Sequence, residues 1–391
     1  MITWKWSLLV VAIAVLSVTS SMAQFGGPRA ADYENGWISL GVHSKDFGWQ
    51  QIGEAEWTQD ENKMVSDGKS GWLMTTCEWA NFEMEIDFRC LDPNANSGVF
   101  IRSSLEPSDP KQDCYEINIS PNDNPFPTGS LVGRQKRDES AASAGNSSEF
   151  RRLRIVAEGG HIQVFVAHQL VVDYTDPNPI AKGHIGLQSR EGVVQFKRLV
   201  LRPLNTKTIF NGKDLTGWKT DRAGPAKFEV TDEGELHVTG GSGQVESEVV
   251  FGNFVMQFDC QVNGDGLNSG VFFRSIPGDR MNGYECQIHN GFKEGDRTKP
   301  SDFGTGGIYR RTPARLVNAR DHEWFHTTIH ANGPHFAIWV NGIQVTDWTD
   351  TRDPHDNPRS GLRLKPGTFC IQAHDPTTDL LFRNIRVVEL P

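Results

Sequence analysis

The 391-residue chain carries 39 Lys and Arg against 49 Asp and Glu, a formal net charge of −10 with no long run of one sign, which excludes nucleic acid and anionic lipid as natural partners. Its 39 glycines, 20 prolines and 37% hydrophobic residues suit short strands joined by tight turns, and the length exceeds what one hydrophobic core usually supports. Two β-rich domains are therefore expected.

Residues 1–23 read as a secretory signal: Lys5 in a short basic start, an apolar run from Leu8 to Val18, and small residues at Ser21 and Ala23 before Gln24. That run is too short to cross a bilayer and no later stretch approaches it, so a secreted or periplasmic protein without a membrane span is expected. The six cysteines, Cys77, Cys90, Cys114, Cys260, Cys286 and Cys370, fall three to each half, which forbids complete pairing within a half. None shows CxxC spacing, so small buried thiols are expected and a metal site is not.

The next signal is an internal repeat. Asn96-Ser97-Gly98-Val99-Phe100-Ile101-Arg102-Ser103 returns as Asn268-Ser269-Gly270-Val271-Phe272-Phe273-Arg274-Ser275. Around it Asn81-Phe82 matches Asn253-Phe254, Tyr115-Glu116 matches Tyr284-Glu285, Asp173 to Asp176 matches Asp347 to Asp350, and Leu187-Gln188 matches Ile371-Gln372. Two copies follow, over residues 32–204 and 205–391. Each reads as alternating strands, for example Phe254 to Val262, Ser269 to Ser275, and His335 to Val340 before an Asn341-Gly342 turn, and no helical period is sustained. The expected fold is all-β, two tandem jelly-roll sandwiches.

Side chains alternate along a strand, so Glu285, Gln287 and His289 should share one face, opposite Tyr284, Cys286 and Ile288. The same parity groups Phe272 with Arg274 and Gln372 with His374. Charges in mid-strand are costly to bury unpaired, so Arg274 and Glu285 should either pair or line a wet concavity. Gln287, Gln372 and His374 favour a site, because an ion pair alone needs no further polar groups. Tyr309, after Gly306-Gly307, is a candidate to face it. Trp218, Trp324, Trp339 and Trp348 read as core rather than sugar platforms, and His322, His326 and His330 lack the spacing of a metal motif.

On these residues the chain resembles the 3-keto-α-glucoside 1,2-lyase/3-keto-2-hydroxyglucal hydratase family, the 3-keto-disaccharide hydrolases. The second copy carries the family's signatures in order: Phe210 to Trp218, Asn268 to Arg274, Gly283 to Ile288, Thr305 to Tyr309, Glu323-Trp324, Trp339 to Gly342, Gln372 to His374 and Phe382 to Ile385. The resemblance implies a concanavalin-like jelly roll acting on a glycoside or disaccharide oxidised at carbon 3. It implies Glu285 and His374 as acid and base in either order, Arg274 with Gln287 or Gln372 as donors to an enolate oxygen, Tyr309 assisting the leaving group, and Asn268 and His289 as further binding residues. No cofactor is identified. The first copy keeps Arg102 and Glu116 but has Asn118, Val132 and Arg190 where the second has Gln287, Tyr309 and His374, which implies an accessory, sugar-binding or structural role. The competing functions are a lectin-like binding module without turnover and, below it, a two-carboxylate glycosidase, for which this face offers only one obvious carboxylate.

Overall fold

The computed structural model describes residues 32–33, 35–41, 47–138, 147–220 and 224–391; the leader expected over residues 1–23 lies outside them. Among the described residues nearly all regular structure is strand, gathered into four antiparallel sheets. The first copy's larger sheet runs Gln169–Thr175, His161–Val166, Arg151–Glu158, Phe82–Cys90, Val194–Pro203, Lys63–Ser66, Trp57–Asp60, with Ile38–Ser39 added against Val194–Pro203. Its smaller sheet runs Trp49–Gly53, Gly71–Trp79, Gly183–Glu191, Asn96–Ser103, Tyr115–Ile119. The second copy repeats both orders, its smaller sheet being Trp218–Thr220, Gly243–Ser247, Thr368–Ala373, Ser269–Ser275, Tyr284–Ile288. Each pair of sheets packs face to face as a jelly-roll sandwich.

The period of two places the cores. Along Phe254–Val262 the residues Phe254, Met256, Phe258, Cys260 and Val262 enter the second core, where Phe273, Tyr284, Phe336 and Phe369 meet them. The hairpin from His335–Val340 to Ile343–Thr349 closes through Asn341 and Gly342, both left-handed (φ 47° and 71°), as a two-residue turn matched to strand twist requires. All six cysteines are buried free thiols. Trp218 donates its indole N–H to Ile209 O (2.8 Å), and Trp348 stacks on Phe336.

The outward faces of the two larger sheets differ in a way that explains how the copies join. In the first copy this face is an ion-pair ladder: Arg154 and Arg202 on Glu83 (both 2.5 Å), and Arg152 on Glu85 (3.2 Å) and Asp87 (2.9 Å). In the second copy the corresponding strands present Val255, Ala337 and Trp339, which are buried and join the first copy's hydrophobic core. Trp79 packs edge-on against Trp339 (5.9 Å) and His330 (4.9 Å). The Trp339 indole donates to Ser39 O (2.9 Å), His330 Nε2 to Glu78 O (2.8 Å), and Gln257 Nε2 to Gly36 O (2.9 Å). An apolar face whose rim reaches across in hydrogen bonds belongs against another surface, whereas the charged one belongs in water.

Candidate active site

The polar face expected from parity is the outward face of the second copy's smaller sheet. Val271, Phe273, Tyr284, Cys286, Ile288 and Ile371 turn into the core. Their alternates Phe272, Glu285, Gln287 and Gln372 therefore turn outward, with Phe272 opposite Glu285 and Gly270 opposite Gln287 in the register. Gly270 gives Glu285 its room: a Cβ there would lie 2.8 Å from Glu285 Oε1. Glu285 borders a cavity of about 200 Å³ shared with Tyr309, Arg310, Arg311, Pro358 and Arg359. Burial pushes its carboxyl up to about 7, against the opposing pull of Arg359, His374 and Arg310. Arg359 Nη2 reaches Glu285 Oε2 at 3.5 Å, and Tyr309 N donates to Glu285 O (3.0 Å), tying the tyrosine loop to the strand.

Gln287 is fully buried and donates Nε2 to Asp302 Oδ2 (2.8 Å) and Asp302 O (3.0 Å); Asn268 Nδ2 holds the same carboxylate (2.7 Å). Gln372 donates to Met281 Sδ (3.3 Å). The Oε1 atoms of both glutamines are buried without a partner. Such orphaned acceptors are uncommon in folded proteins and are suited to hydroxyl donors of a ligand. His374 lies just past its strand, half exposed, with Nδ1 on Asp375 Oδ2 (3.0 Å). It acts on Glu285 through its charge and does not line the cavity. His289, half buried at its strand end, accepts Gly291 N (3.2 Å) and likewise stays off the cavity.

Arg274 departs from expectation. It does not share the Phe272 face and does not pair with Glu285. A bulge between Phe272 and Ser275 places Arg274 in the left-handed region (φ 47°) and turns its side chain away. There, fully buried, it donates to Gly252 O (2.8 Å), Gly333 O (2.6 Å), Arg363 O (3.2 Å) and Asn253 Oδ1 (3.0 Å). Arg102 repeats this in the first copy, with the same φ and bonds to Ala80 O, Gly159 O, Ile180 O and Asn81 Oδ1. The arginine of the repeated motif fastens the ends of loops; it is no donor to a substrate.

Asp302, Arg310 and Arg359 went unrecognised in the sequence. All three sit outside the strands, where parity says nothing. Asp302, Phe303 and Arg310 share left-handed backbone (φ 42°, 68° and 58°), a conformation that costs of order 1–3 kcal/mol per residue and clusters at functional sites. The three histidines are dispersed: His322 on Asp265, His326 on Asp259, and His330 in the interface.

The first copy has the frame with altered contents. Burial also raises the Glu116 carboxyl to about 7, with Arg190 opposing, and Val132 N donates to Glu116 O (3.0 Å) as Tyr309 N does to Glu285 O. Asn118 is consumed locally by Ser120 Oγ and Phe126 O, while the Gln188 Oε1, like that of Gln372, is buried and unpartnered.

The duplicated jelly roll, with a recessed carboxylate on a polar sheet face, is that of a carbohydrate-active protein by its family match. Residues 36–202 and 205–388 each match the 3-keto-alpha-glucoside-1,2-lyase-like domain, and the chain belongs to that family. Two solved structures from Parabacteroides distasonis, provisionally assigned as glycosyl hydrolases, are similar at 21% and 24% identity; each comparison covers 48% of this chain and 94% or 100% of the other, with TM-scores of 0.39 and 0.38. A carbohydrate-binding module from Bacillus subtilis is similar at 15% identity over 40% of this chain and 95% of the module, with a TM-score of 0.33. None of the curated proteins matches the chain.

Proposed function

We propose that the second copy cleaves 3-keto-glycosides by β-elimination followed by hydration. The observation that carries this reading is Glu285, recessed beside a cavity and held near pH 7 by burial, so that both protonation states are populated at neutrality. A carbon-3 ketone acidifies the carbon-2 proton. Glu285 takes that proton, the carbon 1–oxygen bond breaks as the carbon 1–carbon 2 double bond forms, and the leaving oxygen collects a proton from Tyr309, which borders the same cavity. Water then adds its hydroxyl to carbon 1 while a proton returns to carbon 2, giving net hydrolysis.

Arg359 and Arg310 border the same cavity as Glu285 and take the enolate-stabilising role that the sequence had suggested for Arg274. The unpartnered Oε1 atoms of Gln287 and Gln372 accept sugar hydroxyls. The first copy, lacking the tyrosine and histidine, binds carbohydrate or supports the second, and the leader expected over residues 1–23 is in keeping with a reaction outside the cytoplasm. The test offers a 3-keto disaccharide and its unoxidised parent to the full chain: release of a 3-keto monosaccharide from the first alone supports the reading, and saturable binding without product makes the protein a lectin.

A further inference from the structure

The docking of the first copy on the second brings together three side chains with metal-ligating atoms. Cys77 Sγ from the first copy and a His335 ring nitrogen and an Asp347 carboxylate oxygen from the second all lie within 4.8 Å of one another. They are ligand types that zinc takes at about 2.0–2.3 Å; His335 Nε2 and Asp347 Oδ1 already stand 3.0 Å apart, and the set as a whole must draw in by up to about an ångström to close on an ion.

The two copies supply their own comparison. In the first, His161 Nε2 and Asp173 Oδ1 form a hydrogen bond of 2.6 Å in the open, about half exposed. In the second, the equivalent His335 Nε2 lies 3.0 Å from Asp347 Oδ1, yet this nitrogen is buried and makes no hydrogen bond. The carboxylate is near the ring nitrogen but off the line of an N–H. Two ligands bound side by side on one ion stand in this relation. Outer contacts hold the set in place, with His335 Nδ1 on Thr349 Oγ1 (3.0 Å), and Asp347 Oδ1 receiving Thr76 Oγ1 (2.9 Å) and Gln344 Nε2 (3.3 Å). The side chains of His335 and Asp347 keep 17% and 15% exposure, so the set is in contact with solvent.

We propose that Cys77, His335 and Asp347 bind one zinc ion that clasps the two copies together. Binding forms a sulfur–zinc bond and releases the thiol proton to solvent, with no change of oxidation state. The test is titration of the metal-free full chain with Co2+ as an optical stand-in, followed by displacement with Zn2+. One equivalent per chain should produce a near-ultraviolet thiolate-to-cobalt band that Cys77→Ser abolishes. His335→Gln should weaken binding at least tenfold, and His161→Gln, its counterpart in the first copy, should leave binding unchanged. Zn2+ should raise the melting temperature of the wild type and of His161→Gln, but not of Cys77→Ser or His335→Gln. Absence of the band, its survival in Cys77→Ser, or equal zinc stabilisation of all four proteins would overturn the proposal. The outcome is independent of glycoside cleavage.

Discussion

Replacing Glu285 with Gln should stabilise the protein in alkali while it removes turnover. Glu285 is only 6% exposed, and burial raises its carboxyl from 4.5 to about 7. Between these values the unfolded chain has lost the proton that the folded chain retains, so stability falls as pH rises. At ~1.4 kcal/mol for each tenfold change in acidity, the cost of ionising Glu285 in the fold reaches roughly 3 kcal/mol above pH 7. This share is absent below pH 4.5, develops up to pH 7 and is constant beyond. Gln keeps the shape and stays neutral at every pH. Urea unfolding at pH 5 and pH 9 should therefore show the wild type losing up to ~3 kcal/mol more than Glu285→Gln between the two conditions. Identical pH dependence in both proteins would refute the burial argument, whatever happened to activity. In the same variant kcat should drop about 10² or more, the scale of losing a positioned acid or base.

Gly270→Ala should displace the Glu285 carboxylate, since the new Cβ would sit 2.8 Å from its Oε1; kcat should fall with little change in melting temperature. Arg274→Met should destabilise the fold by roughly 3 kcal/mol or more, seen in urea melts, because it leaves buried carbonyls unpaired. His330 is held at about 3 by burial in the interface, so it stays neutral in the fold while the unfolded chain protonates below about 6.5. Stability should fall by ~1.4 kcal/mol for each pH step from 6.5 toward 3, and His330→Gln, measured by the same melts, should lose that share of the acid sensitivity.

Parity along strands carried the sequence reading far in some places and failed in others. Glu285, Gln287 and Gln372 alternate with core residues in uninterrupted strands, so their common face was legible from spacing alone. Arg274 lies in an equally regular run, but a bulge shifts it by one position, and nothing in the alternation marks where a strand will bulge. Its recurrence as Arg102 in a copy without the tyrosine and histidine was the available hint that it serves the fold. Asp302, Arg310 and Arg359 reach the site from loops, whose course depends on tertiary contacts. The docking face was hidden for another reason: Val255, Ala337 and Trp339 read as ordinary strand residues until set beside the charged ladder of Glu83, Arg154 and Arg202 at the equivalent place in the first copy.

Carbon-2 proton abstraction is the central claim, and solvent isotope incorporation tests it most directly. In deuterium oxide the full chain should release a 3-keto sugar carrying deuterium at carbon 2, and should leave the unoxidised glycoside uncleaved. Release of a 3-keto sugar without deuterium at carbon 2, or equal cleavage of the unoxidised glycoside, would contradict elimination and point to direct displacement at carbon 1.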